Sequence, residues 1–338
     1  MMEYYRIKKE DLYQEIKSRE PLSVATHRDA DGIYSLALLD TVFKVTAVNI
    51  PDEFGDYGFP STDPDVPQED VSCDLGEPRF PDWEGIAIDH HPHENVESMK
   101  YKLVKGVVPT GLMVWELFKD RIPKDQWWKA AGACVGDGQP ELIPAEIFEA
   151  CPMLLERRGN LYKSQYNKLS HYVYDIYKLL SSPINAVCRT GRALEAFKIL
   201  RICRTPDQVL SHPIFKESQD LLNKEIDSIF NQFGRDKRVR KNTIILGNRF
   251  IVIPFESDYF IASRIASEVA NVEKNYTIIA INERKKEISI RGDHASTVRD
   301  LMVGKGWSIG GHMGYMGGIL NRSAQEFIND LRSAIYSR

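Results

Sequence analysis

The chain has 338 residues, of which 43% are hydrophobic and 27% charged, with a formal net charge of −4. That length suits two domains, and that composition supplies ample apolar material for a core. The acidic balance argues against a broad basic face for long duplex DNA, but leaves room for short oligonucleotides, cyclic dinucleotides or mononucleotides at a local positive site. No apolar run approaches the roughly 20 residues needed to span a bilayer. The charged N-terminus does not read as a signal peptide, so a cytoplasmic protein with no membrane association is expected. Five cysteines, odd in number and without a C-x-x-C spacing, read as small buried thiols and not as a disulfide framework or a structural zinc site.

In chain order, residues 1–20 read as a charged helix. Leu22 to Thr26 is a short apolar strand, and Ile33 to Phe43 carries apolar residues at helical spacing. Phe43 to Ile50 alternates like a strand. Residues 51–70, rich in Pro, Asp and Gly, read as a loop. Val71 to Cys73 and Gly85 to Ile88 are further short strands, and helices are predicted over 110–120 and 127–135. This alternation predicts a parallel sheet with helices on both faces, whose sites form beyond the carboxyl ends of the strands. Residues 141–235 read as mainly helical and Tyr-rich; Tyr162, Tyr166, Tyr172, Tyr174 and Tyr177 are expected in core or interdomain packing. The basic stretch 235–241 reads as a linker. Strands at 242–247, 249–255, 276–283 and 287–293, a helix at 257–270, a Gly-rich loop and a closing helix at 327–336 then make a second, compact α/β domain.

Four segments carry candidate chemistry. Thr26-His27-Arg28-Asp29-Ala30-Asp31-Gly32 follows a strand and crowds His27, Asp29 and Asp31 into one turn. Cys73-Asp74-Leu75-Gly76 ends a strand on an acid. Ile88-Asp89-His90-His91-Pro92-His93 places adjacent histidines at a strand end, with an acid beside them able to fix a ring tautomer. Val135-Gly136-Asp137-Gly138 ends an apolar helix. Taken singly, each also fits a helix cap, a polar loop or a turn. Together they supply carboxylates and imidazoles but no thiolate, a donor set suited to Mn²⁺ or Mg²⁺. Carboxylates packed so closely would repel one another without cations between them. A binuclear centre, with ions roughly 3.5–4 Å apart, is the most economical reading.

The order of these segments resembles the DHH phosphoesterase superfamily, which includes RecJ-like exonucleases, oligoribonucleases, cyclic-dinucleotide phosphodiesterases and family II inorganic pyrophosphatases. The H-x-D-x-D-G of 27–32, Asp74, the Asp89-His90-His91 triplet and Asp137 look like its successive motifs. Gly310-Gly311-His312, followed by Gly317-Gly318, looks like the signature of its associated substrate domain, and Arg291 is similar to that domain's substrate-binding arginine. The resemblance implies a catalytic domain over 1–185, a helical linker over 186–241 and a smaller α/β substrate domain over 242–338, with the active site in the cleft between domains. It implies that His27, Asp29 and Asp74 hold one ion and that Asp31, Asp74, His90 and Asp137 hold the other, with Asp74 bridging. Asp74, Asp89 and His91 form the implied catalytic set: Asp89 orients the histidine pair and His91 contacts the scissile phosphate. Arg291, Gly310, Gly311 and His312 would grip a phosphate. Two departures, Ile309 in the first Gly position and Tyr315-Met316 in place of a small pair, bear on the substrate pocket.

The expected activity is a two-metal phosphodiesterase, Mn²⁺ first and Mg²⁺ second. It would act as an exonuclease or oligonucleotide phosphodiesterase that releases nucleoside monophosphates from short single-stranded nucleic acid. A cyclic-dinucleotide phosphodiesterase is the alternative within the class. An inactive replication or repair scaffold is the alternative outside it; the full set of ligand residues weighs against that.

Overall fold

The computed structural model describes residues 2–51, 68–78, 80, 82–93, 96–155, 180–233, 243–312 and 314–336. The five middle tyrosines and the basic stretch 235–241 lie outside the described residues. The chain divides into two units, Met1–Gln219 and Asp220–Arg338. Among the described residues, no helix is long and apolar enough to cross a membrane, and the five cysteines are free and buried.

The first unit is built on a six-stranded sheet: β1 (Glu3–Tyr5), β2 (Leu22–Thr26), β3 (Val45–Asn49), β4 (Val71–Cys73), β5 (Ile86–Asp89) and β6 (Lys102–Lys105), in the order β1-β6-β5-β4-β2-β3. Strands β3, β2, β4, β5 and β6 run parallel. β1 closes the edge antiparallel to β6, so the sheet is mixed. This corrects the expected helix over residues 1–20. Tyrosines favour a pleated strand, and Tyr4 packs against the core from its edge position. The helix α1 starts only at Lys9 and ends at Ser18, burying Leu12 and Ile16 one turn apart.

Register decides where the chemistry emerges. Thr26 pairs with Cys73 and Cys73 with Ile88. Three parallel strands therefore end level, and His27, Asp74 and Asp89 follow side by side. Helix α2 (Ala30–Val42) is apolar nearly all round, and every residue from Ala30 to Leu39 is buried. Each fully buried aliphatic side chain there stabilises the fold by about 1.5–3 kcal/mol. Helices α3 (Thr110–Phe118) and α4 (Trp128–Gly136) pack against α2 through small residues. A Cβ on Gly111 would lie 2.4 Å from Ala133 Cβ, and one on Gly136 would lie 2.9 Å from Ala30 Cβ. Close approach at these two glycines brings the ends of all three helices to the strand termini. The rest of the first unit includes α5 (Ala145–Ala150), α6 (Ser182–Arg189), α7 (Ala193–Ile202) and α8 (Pro206–Ser211), with α9 (Pro213–Phe233) continuing into the second unit.

The second unit carries its own six-stranded sheet, in the order β11-β12-β10-β9-β8-β7. Its strands are β7 (Ile244–Leu246), β8 (Phe250–Phe255), β9 (Thr277–Asn282), β10 (Glu287–Arg291), β11 (Ser308–His312) and β12 (Tyr315–Ile319). The expected Gly-rich loop is in fact the β11–β12 hairpin, paired residue for residue from Ser308↔Ile319 to His312↔Tyr315. Ile309 and Met316, buried in the core, fix the inward face of this glycine-rich pair. Helix α10 (Ala262–Val272) covers one face of the sheet, touching β9 and β10. Helices α11 (Ala295–Val303) and α12 (Ala324–Tyr336) bury their apolar sides in the core on the other face.

Candidate metal centre

The loop after β2 turns directly into α2. Asp29 caps the helix, its Oδ1 accepting from the Gly32 N–H at 3.0 Å. Its other oxygen, Oδ2, lies 2.9 Å from His27 Nδ1. One oxygen thus caps the helix while the other is left toward the crevice. Asp31, in the first turn of α2, is 0% exposed. It accepts from the Thr110 and Gly111 N–H groups, each at 2.8 Å, at the N-terminus of α3. That helix end favours the anion.

Asp74, 1% exposed, sits in the left-handed region at φ 65°, an arrangement that costs on the order of 1–3 kcal/mol for a residue other than glycine. Its N–H donates to the Ile88 carbonyl at 3.2 Å and its Oδ1 accepts from Thr110 Oγ1 at 3.2 Å. The carboxylate lies between the histidines. His90 Nε2 is 3.1 Å from Asp74 Oδ1, His91 Nδ1 is 3.7 Å from the same oxygen, and His27 Nδ1 is 3.9 Å from Oδ2. His90 Nε2 also lies 3.3 Å from Asp137 Oδ2 and 3.8 Å from Asp31 Oδ2. Asp137 reaches this position as the residue after α4.

Donor atoms converge in three sets, each within 4.8 Å: His27, Asp29 and Asp74; Asp31, His90 and Asp137; and Asp74, His90 and His91. Asp74 belongs to two of them. All six residues expected as metal ligands are brought together. Burial, and then the charges of Asp74 and Asp137, hold the Asp31 carboxyl well above its usual range. Burial and the Asp29 charge do the same for Asp74, and burial and Asp29 raise Asp137. Three carboxyls in one crevice therefore resist ionising together. Divalent cations fit this donor set, because they would replace the missing positive charge.

Asp89 behaves in the opposite way. Burial favours its neutral form, but hydrogen bonds from His91 and His93 outweigh it and hold the carboxyl well below the usual range. Asp89 Oδ1 takes the His91 N–H at 2.9 Å and lies 2.8 Å from His91 Nδ1, while Oδ2 lies 3.3 Å from His93 Nε2 and accepts from the Gly76 N–H. His93 Nδ1 in turn meets Tyr101 Oη at 2.6 Å. Asp89 thus holds His91 and His93, whereas His90 turns toward Asp74 and Asp137. Burial lowers the His91 pKa, but Asp89 overrides it and raises the ring to about 9. Sequence reasoning missed the supporting roles of Thr110, Gly111, His93 and Tyr101. Only the Thr-Gly pair opening a predicted helix offered a local signal.

Arg291, Gly310, Gly311 and His312 lie in the second unit. Arg291 pairs with Tyr315 across β10 and β12, and Tyr315 pairs with His312 across β12 and β11. The Arg291 guanidinium donates to Ser267 Oγ at 3.3 Å and to the Ile290 and Met316 carbonyls at 2.8 and 3.0 Å.

No family model matches the chain, and no curated protein matches it. Solved structures do. RecJ from Thermus thermophilus, in complex with Mn²⁺, is similar over 98% of this chain at 16% identity, with a TM-score of 0.67. This chain spans about half of that one, 54% of its length. The DHH domain of a member of a ribosomal-protein family is similar over 96% of this chain and 87% of its own, at 14% identity and a TM-score of 0.58. The pGpG-specific phosphodiesterase PggH from Vibrio cholerae is similar over 94% of this chain and 99% of its own, at 14% identity and a TM-score of 0.50. At these identities the likeness is one of fold, shared with RecJ and with that DHH domain.

Proposed function

We propose that the chain is a divalent-metal-dependent phosphodiesterase acting on short single-stranded nucleic acid, as an exonuclease or oligonucleotide phosphodiesterase that releases nucleoside monophosphates. One observation carries the reading: His27, Asp29, Asp31, Asp74, His90 and Asp137 converge at the carboxyl ends of parallel strands, with Asp74 shared between donor sets. An inactive scaffold would have no use for two buried carboxyls, Asp31 and Asp74, and a half-buried third, Asp137, whose ionisation is resisted by burial and by neighbouring charge.

In this reading His27, Asp29 and Asp74 hold one ion, and Asp31, Asp74, His90 and Asp137 hold the other. Mn²⁺ is preferred, with Mg²⁺ second, as the oxygen-and-imidazole donors favour and as the Mn²⁺ complex of RecJ illustrates. Bound divalent ions would supply Lewis acidity and neutralise charge at the phosphate. The chain's own groups do the rest. Thr110 and Gly111 fix the Asp31 carboxylate, and Thr110 also braces Asp74. Asp89 positions His91, its Oδ1 2.8 Å from the ring Nδ1. His91 beside the crevice can contact the scissile phosphate and help the leaving oxygen. Arg291, Gly310, Gly311 and His312 are assigned to the substrate phosphate. The −4 charge favours short substrates over long strands, and the pGpG specificity of PggH, a dinucleotide enzyme of similar fold, supports a short substrate.

The test is a substrate panel with Mn²⁺: labelled dinucleotides and longer single strands of each sugar type, cyclic dinucleotides and pyrophosphate. Fastest initial rates on linear oligonucleotides are expected. Highest rates on cyclic dinucleotides would replace the oligonucleotide assignment, and no hydrolysis of any member would overturn the enzyme reading.

A further inference from the structure

The β10–β12–β11 edge of the second sheet carries a surface that phosphate recognition alone does not account for. Directly paired residues share a face of a sheet. Arg291, Tyr315 and His312 therefore form one row, and Ser289, Gly317 and Gly310 form the next row on the same face. Helix α10 covers the inner half of that face: Ala262 N–H donates to Glu287 Oε2 at 3.0 Å, and Ser267 meets Arg291. Gly310 is exposed; among the described residues a Cβ there would meet nothing within 4 Å, and one on Gly317 would meet only the Ile288 carbonyl, at 3.6 Å.

Against this side-chain-free floor stands Tyr315, 65% exposed, its ring centroid 5.1 Å from the Arg291 guanidinium carbon. A large aromatic group left in water forgoes burial, and the cationic neighbour strengthens it as a stacking surface. An exposed aromatic wall beside two glycines suits a planar heterocycle. A phosphate held by Arg291, Gly310, Gly311 and His312 would leave the aromatic face unused.

We propose that Tyr315 is a specificity-determining residue that stacks on a nucleobase of the substrate beside the Gly310–Gly317 floor. The proposal rests on the oligonucleotide reading above and adds recognition of the base to recognition of the phosphate.

The experiment compares wild type, Tyr315→Ala and Tyr315→Phe with Mn²⁺ on a pentaadenylate of the preferred sugar and on an abasic pentamer of equal length. Binding of a fluorescent pentaadenylate is read in parallel by anisotropy. Base–aromatic stacking predicts that Tyr315→Ala raises KM for pentaadenylate about tenfold with kcat within about twofold. Tyr315→Phe keeps wild-type behaviour, and all three proteins treat the abasic pentamer alike. Unchanged KM and binding in Tyr315→Ala, equal damage in Tyr315→Phe, or an equal loss on the abasic pentamer would overturn the stacking role. Failure of the wild type to hydrolyse either pentamer counts against the parent reading; the anisotropy comparison then still decides the role of Tyr315.

Discussion

In the first unit, ionisable groups are crowded where water is nearly absent. Asp31 and Asp74 are buried beside His90, and Asp137 closes the same crevice. In the second unit, an exposed Tyr315 and the Arg291 guanidinium stand beside Gly310 and Gly317. The first arrangement costs stability unless cations enter it, so its residues are constrained by chemistry. The second carries no such cluster of carboxyls among the described residues, and substrate recognition is proposed for it. The comparison sets a charged centre against that proposed recognition surface, and each of the following measurements presses on one side of it.

The largest expected effect is at the shared carboxylate. Asp74→Ala, and likewise Asp31→Ala or Asp137→Ala, should lower turnover by a factor on the order of 10³ or more. Thermal melts of the metal-free proteins should hold or rise, because removing a crowded carboxyl relieves repulsion. Activity within tenfold of wild type would detach those residues from the reaction. Chelation comes next: EDTA should inactivate the enzyme, and Mn²⁺ should restore it better than Ca²⁺. Full activity in chelator would contradict metal dependence.

A buried cation away from the centre gives a control. Lys129 lies inside α4, its Nζ without a hydrogen-bond partner among the described residues, and burial lowers its pKa to about 8. The unfolded chain holds this proton up to about pH 10.4. Between those values the unfolded state binds more protons than the folded one, so stability should rise as pH climbs from about 8 to about 10.4. Lys129→Met should remove that rise and add on the order of 2–3 kcal/mol at neutral pH. Denaturant melts at pH 7 and 10 check it; a variant that retains the wild-type pH slope would refute it. The smallest effect is expected in the second unit. His312→Ala should raise KM about tenfold and leave kcat nearly unchanged if its contact is uniform, and a change in kcat alone would contradict that role.

Much of this was legible in the sequence. Short apolar runs ending on Asp or His marked the strands β2, β4 and β5, and the rule that sites lie beyond parallel strand ends brought His27, Asp74 and the Asp89 segment together in advance. The edges were not legible. Glu3–Tyr5 is a strand only because Lys102–Lys105 lies beside it, and that pairing leaves no local trace in a charged N-terminus. The β11–β12 hairpin was hidden because glycine signals turns, while its register depends on Ile309 and Met316 reaching a distant core. The bracing of Asp31 by Thr110 and Gly111 spans about 80 residues of chain. Spacing cannot reveal such a contact. The division of labour between His90 and His91 was likewise invisible, since adjacent residues at a strand end point in different directions only once the fold fixes them.

The most direct measurement is calorimetric titration of metal-free protein with Mn²⁺. Two ions per chain are expected for the wild type, with both lost or greatly weakened in Asp74→Ala. Absence of Mn²⁺ binding to the wild type, or the same stoichiometry and affinity in Asp74→Ala, would contradict the shared-carboxylate centre.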